Sequence, residues 1–372
     1  KLISSKGYIY AFCMIIFEDF HINIEKIHEI DCRKRLNTKE ASLLLGFLIQ
    51  NDIDFSTPAM PEDLIQLKQK TYEILEELHQ SFNIQIFEKL EKSLEVEYKT
   101  EDLRKNQKEL FGNVDMLKGY IFYSGTCVYD FQYLEFLEKK YKYDAEWLSV
   151  KKGFDFIKTK NIVQEKSKKV HLYDIKERLP SIIEDMKKKN PNEDFEKYEK
   201  EMLTTMELHQ YIELFFDHVK DENISSINEI RKEAYKSFYK SLVELFVIEK
   251  SDFDSDDNIE AFLNNFSISP KKGLNSQFET IGSYNIINSH PIIKLDIEKY
   301  FVPIPFLLFE AVYENPFYWM TDDKNYKDQA GENRGKVGEE ITYEFLLKVF
   351  GTSKAYKSVK IITQKGQENT DI

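Results

Sequence analysis

The sequence predicts a mainly helical fold: a multi-helix N-terminal region, a short β-containing connector, and then a helix with a β-hairpin. Over most of residues 1–280 the apolar side chains recur every three or four positions, which is the period of a helix. After Gly282 the chain changes to short β-branched runs bounded by turn residues, a pattern typical of strands. The length of 372 residues suits about two or three domains.

The helical region, residues 1–280, is predicted to form either one unit or two subdomains with a break near residues 112–150. Asn37 or Thr38 provides an N-cap oxygen for the helix that follows, because short polar side chains accept hydrogen bonds from the first free amides. After two prolines, a long helix is predicted to begin near Glu62. Lys and Glu occupy the face opposite its apolar residues, which indicates a solvated surface.

The connector, residues 281–330, is predicted to contain short strands. They are Tyr284–Ile287, Pro291–Leu295 and Tyr300–Ile304. A helix is expected next, over Leu307–Tyr313. Asn315 and Pro316 should end it, because proline lacks the amide hydrogen that a helix interior needs.

The last segment, residues 331–372, is predicted to begin a further domain. Its helix covers Gly335–Phe350, and Gly351 follows at the position where helices commonly stop. The remaining predicted elements are a strand at Ser358–Thr363, a turn at Lys365–Gln367 and a second strand at Asn369–Ile372.

This order of elements can bring carboxylates together. The helix carries Glu339 and Glu340, and the predicted second strand carries Asp371. Two convergent carboxylates are what Mg²⁺ requires in a site that cleaves phosphate esters. The alternative for the glutamates is an exposed helix position near a positive N-terminus, and for Asp371 it is a strand-edge or turn carboxylate.

The motif Gly335-x-x-Gly338-Glu339, with Gly351 closing the helix, resembles the first helix of the PD-(D/E)XK (restriction-endonuclease-like) nuclease superfamily. The hairpin that leads to Asp371 resembles the next two strands of that superfamily. The resemblance covers only this C-terminal segment. It implies the start of an α/β nuclease domain, because the (D/E)-x-K motif of the third strand does not occur in the segment.

The resemblance also implies a catalytic metal site. Glu339 would help to bind Mg²⁺ and Asp371 would be the central ligand, with Glu340 as the alternative on the helix. Superfamily members with an Asp-Ile-Asp doublet often bind the metal through the second Asp, a position that would follow Ile372. The lysine of the missing motif would orient the attacking water or neutralise developing charge.

The composition limits the classes of partner. The chain has 52 Lys and Arg against 65 Asp and Glu, a net charge of −13, which excludes a general basic surface for nucleic acid. In residues 331–372, however, basic residues exceed acidic ones by one, so a local contact with DNA is permitted. Three scattered cysteines exclude a disulfide framework. No apolar run approaches the ~18–20 residues of a membrane span, and no signal peptide is visible, so the sequence predicts a cytoplasmic protein without a membrane partner.

The predicted function is a metal-dependent endonuclease that cleaves phosphodiester bonds of DNA, with a helical region that senses or positions the substrate. Host defence against phage is a setting that the resemblance implies. The alternative is a helical protein-interaction or scaffold protein whose nuclease-like end is inactive. The helical region would be the part that binds a partner protein or a second copy of the chain.

The two ends of the chain also carry an expectation. The sequence begins at Lys1 rather than Met and stops at Ile372 inside a predicted strand. We therefore expect a piece of a longer polypeptide, with the (D/E)-x-K motif among the residues that follow.

Overall fold

A computed structural model of the chain describes residues 1–20, 35–50, 53–55, 61–94, 122, 128–170, 242–253, 259–357, 360–363 and 366–369. The described residues are mainly helical, with a small mixed four-stranded sheet and a two-stranded hairpin. The predicted class, mainly helical with a small β-containing part, is confirmed at that level. In this part of the chain, no helix has the length and apolar character needed to cross a membrane.

The described elements follow one another in this order. The helices are α1 (Tyr8–Phe20), α2 (Thr38–Leu48), α3 (Pro61–Leu94), α4 (Asp130–Tyr141), α5 (Ala145–Lys152), α6 (Phe156–Val170), α7 (Ile259–Phe266), α8 (Pro305–Asp322) and α9 (Lys327–Phe350). The strands are β1 (Val247–Glu249), β2 (Ser267–Ile268), β3 (Ile292–Lys294), β4 (Lys299–Phe301), β5 (Lys360–Thr363) and β6 (Gly366–Asn369).

The chain divides into two compact units. The first unit comprises Lys1–Cys127, Ile162–Asp257 and Phe266–Leu308. The second unit comprises Val128–Asn161, Asn258–Asn265 and Phe309–Ile372. Each unit draws on separate stretches of the sequence, so neither could be delimited by a shift in composition along the chain.

Helix α1 belongs to the core of the first unit. Every side chain from Tyr8 to Phe17 is buried, because the helix is apolar on all sides. Its contact with α3 includes a hydrogen bond of 3.1 Å between the hydroxyls of Tyr8 and Thr71. Burial raises the pKa of Tyr8 to about 12, so this hydroxyl stays protonated at physiological pH.

The start of α2 confirms the predicted N-cap. The Asn37 side chain accepts hydrogen bonds from the amides of Lys39 and Glu40, both at 2.9 Å, and Glu40 accepts one from the Asn37 amide at 3.0 Å. This reciprocal capping box supplies partners for amides that the helix itself cannot pair. The predicted long helix also occurs, as α3, and begins at Pro61, a residue favoured in the first turn.

The sheet of the first unit has the strand order β1-β4-β3-β2. Strand β4 pairs antiparallel with both β1 and β3, whereas β2 pairs parallel with β3. Strands β3 and β4 lie within the predicted runs Pro291–Leu295 and Tyr300–Ile304, which are confirmed. Strands β1 and β2, of three and two residues, lie outside the predicted runs.

The prediction of a strand at Tyr284–Ile287 is wrong. A short 3₁₀ turn occupies Ile286–Asn288. The cause is Asn285, whose buried amide donates to the Ser42 carbonyl at 2.9 Å and whose oxygen accepts from Asn275 at 3.1 Å. These bonds attach the loop to α2, so the β-branched residues that follow pack as a turn.

In the second unit α4 lies against α9. The rings of Phe136 and Phe345 are 6.3 Å apart, and Lys139 pairs with Glu344 at 3.2 Å. Tyr143, just after α4, bonds to Glu340. Later residues of α4 meet earlier residues of α9, so the two helices run antiparallel.

The prediction that the helix after β4 ends at Asn315-Pro316 is wrong. Helix α8 continues through Pro316 to Asp322. A proline inside a helix costs about 3 kcal/mol, so the surroundings must compensate. Side chains from the end of α4 bond to the backbone at this turn, as described below.

The last predicted helix and hairpin are both present, with shifted bounds. Helix α9 begins at Lys327, before the predicted Gly335, and ends at Phe350; Gly351 follows with φ of 76°. Strand β6 begins at Gly366, which pairs with Thr363, so Gly366 and Gln367 belong to a strand rather than a turn. The remaining part of the predicted second strand, residues 370–372, lies outside the described residues.

Candidate functional site

Helix α9 has two sides with different surroundings. Its buried residues are Ala330, Asn333 and Val337, and with 3.6 residues per turn this stripe continues to Glu340. Gly331, Gly335 and Gly338 form a separate exposed stripe on roughly the opposite side. We call the first stripe the packed face of α9 and the second its glycine face.

Glu339 lies on the exposed side of α9. It follows Gly338 directly and stands one turn after Gly335, so it borders the glycine face. Its side chain is exposed, and among the described residues none forms a hydrogen bond or an ion pair with its carboxylate. An exposed helix position is also what the alternative interpretation of Glu339 predicts, and the same exposure leaves both oxygens accessible to a ligand on the side of the described residues.

Glu340 has the opposite environment. Its half-buried carboxylate pairs with Lys142 and accepts a hydrogen bond of 2.7 Å from the Tyr143 hydroxyl. The bond from Lys142, followed by that from Tyr143, lowers the pKa of Glu340. A metal ion at Glu340 would have to displace a lysine ammonium group, so Glu340 is less accessible to a cation than Glu339.

The glycine face is open space in the described structure. A Cβ atom added at Gly331, Gly335 or Gly338 would meet nothing within 4 Å among the described residues. Each glycine inside a helix costs about 0.5–1 kcal/mol relative to alanine. Helix α9 therefore loses stability at these positions without gaining a described packing contact. Glycine is used in this way where a ligand approaches a backbone closely.

The second predicted carboxylate, Asp371, lies outside the described residues. It follows the end of β6 by two positions, and the β5–β6 hairpin itself follows α9. The order helix, hairpin, acid is thus present as far as β6. The proximity of Asp371 to Glu339 stays a prediction.

Whether the described residues could bind a metal ion depends on which donor side chains lie close together. In the described part of the chain, no group of three or more His, Cys, Asp or Glu residues could hold a metal ion. Mg²⁺ needs less than that, since it usually keeps several waters and takes one or two carboxylates from the protein. Glu339 fits as one of those carboxylates.

The last residues of α4 and the turn that leads into α5 form a contact segment that the sequence did not reveal. Each of the six consecutive residues 139–144 makes a polar side-chain contact with α8 or α9, or with Tyr326 just before α9. Asp144, for example, is buried and accepts from Asn333 at 2.6 Å and from Tyr326 at 2.9 Å. We call these residues the 139–144 segment. Its Lys-Lys-Tyr-Lys-Tyr-Asp sequence alternates charged and aromatic residues, which in isolation also fits an ordinary helix end.

Burial perturbs the charged groups of the 139–144 segment. Desolvation lowers the pKa of Lys140 to about 8, although the nearby Glu314 carboxylate opposes the shift. Desolvation also raises the pKa of Asp144, while its hydrogen bonds to Asn333 and Tyr326 lower it. The segment therefore holds two ionisable groups at a cost in solvation, which its contacts must offset.

Comparisons with known proteins give no relative for this chain. No family model, no curated protein and no solved structure matches it.

Proposed function

We propose that this chain belongs to a metal-dependent nuclease that cleaves phosphodiester bonds of DNA, with Glu339 as a metal-binding catalytic carboxylate. The observation that carries the proposal is the exposed Glu339 carboxylate beside the glycine face of α9. The resemblance of this helix and hairpin to the PD-(D/E)XK superfamily supports the same assignment.

The glycine face gives the substrate a place beside Glu339. A nucleic acid backbone is a bulky, negatively charged chain, and bare helix backbone lets it approach more closely than side chains would. Gly335 lies one turn before Glu339, and Gly338 directly precedes it. Residues 331–372 carry slightly more basic than acidic residues, in a chain whose net charge is −13.

The chain's carboxylates would supply oxygen ligands for Mg²⁺. Glu339 provides the first, and we propose Asp371, or an acid that follows it, as the second. When bound, Mg²⁺ lowers the pKa of a coordinated water and stabilises charge on the phosphate. Glu340 stays paired with Lys142 and so holds α9 in place rather than binding the cation.

The proposal also includes a role for the helical region, residues 1–280, and a biological setting. The helical region would sense or position the substrate, and host defence against phage is the proposed setting, in the cytoplasm. A partner protein or a second copy of the chain would bind through the helical region.

The test is cleavage by the intact protein that contains this chain. Plasmid, linear duplex and single-stranded DNA are incubated with the parent, with E339Q and with E332Q in Mg²⁺ and in EDTA. We expect cleavage only in Mg²⁺ and a loss of about 100-fold or more in E339Q, since a metal ligand contributes several kcal/mol. Glu332 is an exposed glutamate of the same helix, so E332Q is the matched control and should cut like the parent.

Two outcomes would contradict the proposal. If E339Q cuts as fast as the parent, Glu339 is not the metal ligand. If the parent cuts no DNA in Mg²⁺, the alternative gains: a helical protein-interaction or scaffold protein. One observation favours that second candidate, namely the exposure of two aromatic residues of the helical region, Tyr129 and Phe131, at 70% and 52%.

A further inference from the structure

The hydrogen-bond ladder of α8 is interrupted at Pro316, and a side chain from α4 bridges the interruption. Pro316 has no amide hydrogen to donate to the carbonyl of Val312. The next amide, that of Phe317, donates to the Tyr141 hydroxyl at 3.2 Å, and this hydroxyl donates to the Tyr313 carbonyl at 2.7 Å. In a regular helix Phe317 would bond directly to Tyr313. The hydroxyl therefore connects two groups that normally pair with each other.

Lys140 brings a second donor to the same carbonyl. Its ammonium group donates to the Tyr313 carbonyl at 3.1 Å and pairs with Glu314 at 3.1 Å. It also lies 3.6 Å from the centre of the Tyr313 ring. Only 10% of the Lys140 side chain is exposed, so these contacts replace most of its hydration.

We infer that α8 has a joint at Pro316 and that Lys140 and Tyr141 form a latch that holds the joint closed. A helix interrupted by proline leaves backbone groups that need external partners, and sharp bends occur at prolines and where a side chain enters the hydrogen-bond ladder. Here both conditions coincide. Opening transfers the two donors from the Tyr313 carbonyl to water and frees the part of α8 after Pro316, which leads into α9. This inference does not depend on the nuclease proposal.

The ionisation of Lys140 couples the latch to pH. The charged groups that act on its ammonium are Glu314 from α8 and Arg334 from α9, and the Tyr141 hydroxyl shares its acceptor, the Tyr313 carbonyl. Burial lowers the pKa of Lys140 to about 8, whereas a hydrated lysine titrates near 10.4. Protonation therefore favours the open state, in which the ammonium is hydrated. Raising the pH above about 8 favours the closed state.

The experiment is amide hydrogen exchange of the full chain, followed by mass spectrometry of the peptide over residues 313–322. The variants are Y141F, P316A and the double variant Y141F/P316A. In the parent background we expect Y141F to accelerate exchange in this peptide about tenfold, since the Phe317 amide and the Tyr313 carbonyl lose the hydroxyl that bridges them. In P316A the new amide allows a regular helix, in which Phe317 can bond directly to Tyr313. There Y141F should change exchange less than about twofold.

The matched control is Y133F, because Tyr133 also packs against Tyr313, with ring centres 5.3 Å apart, and is on the same helix as Tyr141. It should leave the exchange of this peptide near the parent rate. Equal acceleration by Y141F in both backgrounds, or none in the parent, overturns the inference. If Y141F also accelerates exchange in the peptides of α1, the variant has destabilised the whole chain, and P316A alone decides. P316A must then slow exchange in the 313–322 peptide relative to the parent, because Phe317 can bond directly to Tyr313, and an unchanged rate overturns the inference.

Discussion

The packed face and the glycine face of α9 differ in what their residues contact. On the packed face, Glu340 is tied to Lys142 and Tyr143, and its neighbours Asn333 and Val337 are buried. On the exposed side, Glu339 has an open carboxylate next to glycines with no described neighbour. Adjacent residues of one type thus have opposite surroundings, because successive helix positions are rotated by about 100°.

This difference separates a structural carboxylate from a candidate catalytic one. Glu340 continues the heptad-like stripe of Ala330, Asn333 and Val337, so contact with α4 follows from its position. Glu339 lies outside that stripe. A carboxylate with which no described residue pairs can bind a cation without breaking a described contact, whereas Glu340 must first lose its salt bridge with Lys142.

The largest expected effect is a contrast between E339Q and E340Q. E339Q should reduce Mg²⁺-dependent cleavage about 100-fold and leave the thermal unfolding midpoint unchanged, because its side chain is exposed. E340Q should lower the midpoint and leave cleavage within about twofold of the parent, because it loses the charge that pairs with Lys142. Cleavage rates and calorimetry on both variants measure the contrast. The comparison fails if E340Q is the variant that loses cleavage.

A smaller effect comes from filling the glycine face. G338A should raise the free energy of unfolding by about 0.5–1 kcal/mol, since alanine favours the helix and its Cβ meets open space. The same variant should slow cleavage if a substrate approaches this face.

Gly46 in α2 provides the control for that substitution. Its added Cβ would lie 2.6 Å from the Asn285 side chain, so G46A should lower stability by about 1–3 kcal/mol. Urea unfolding of G46A and G338A gives both values. A G338A variant that loses stability would show that the glycine face is covered in the folded chain.

The pH dependence of stability tests the buried charge of Lys140 in the 139–144 segment, which packs against α8 and α9. The pKa of Lys140 is lowered to about 8 in the folded chain, below its unfolded value near 10.4. Between these values the unfolded state binds more protons, so this lysine makes stability rise with pH, by at most about 1.4 kcal/mol per pH unit. Below pH 8 both states are protonated and its contribution is constant.

The measurement is urea unfolding of the parent and of K140M between pH 7 and about 9.5. The parent should gain stability relative to K140M above pH 8. The series stops below pH 10, where tyrosines of the unfolded chain begin to ionise. Burial raises the pKa of Tyr141 in the folded chain, so this ionisation favours unfolding and would obscure the effect of Lys140. Parallel curves for the two proteins would show that Lys140 keeps an ordinary pKa.

Several features of the fold could be predicted because their causes are local in the sequence. The Asn37 cap needs only residues within three positions, and the helix end at Gly351 needs only a glycine that adopts positive φ. The strands β3 and β4 follow from short β-branched and aromatic runs. The candidate Glu339 also came from a local motif, Gly335-x-x-Gly338-Glu339.

Other features depend on residues far away in the sequence. The strand-like run at Asn285 forms a turn because Asn285 bonds to Ser42, more than two hundred positions earlier. Helix α8 passes through Pro316 because Tyr141 and Lys140 reach its backbone. No pattern near Pro316 could reveal those partners.

The sequence by itself determined where α2 and α3 begin, where α9 ends, the helix-and-hairpin order of the last segment, and the presence of two adjacent glutamates on its helix. Capping, periodicity and turn propensity act within a few residues, so they can be read along the chain. The tertiary structure alone decided that Glu340 is bound by Lys142 and that Glu339 is open, since the choice depends on which face of α9 meets α4. Burial and pairing between distant segments are properties of the packed chain, and only packing could give the two carboxylates different surroundings.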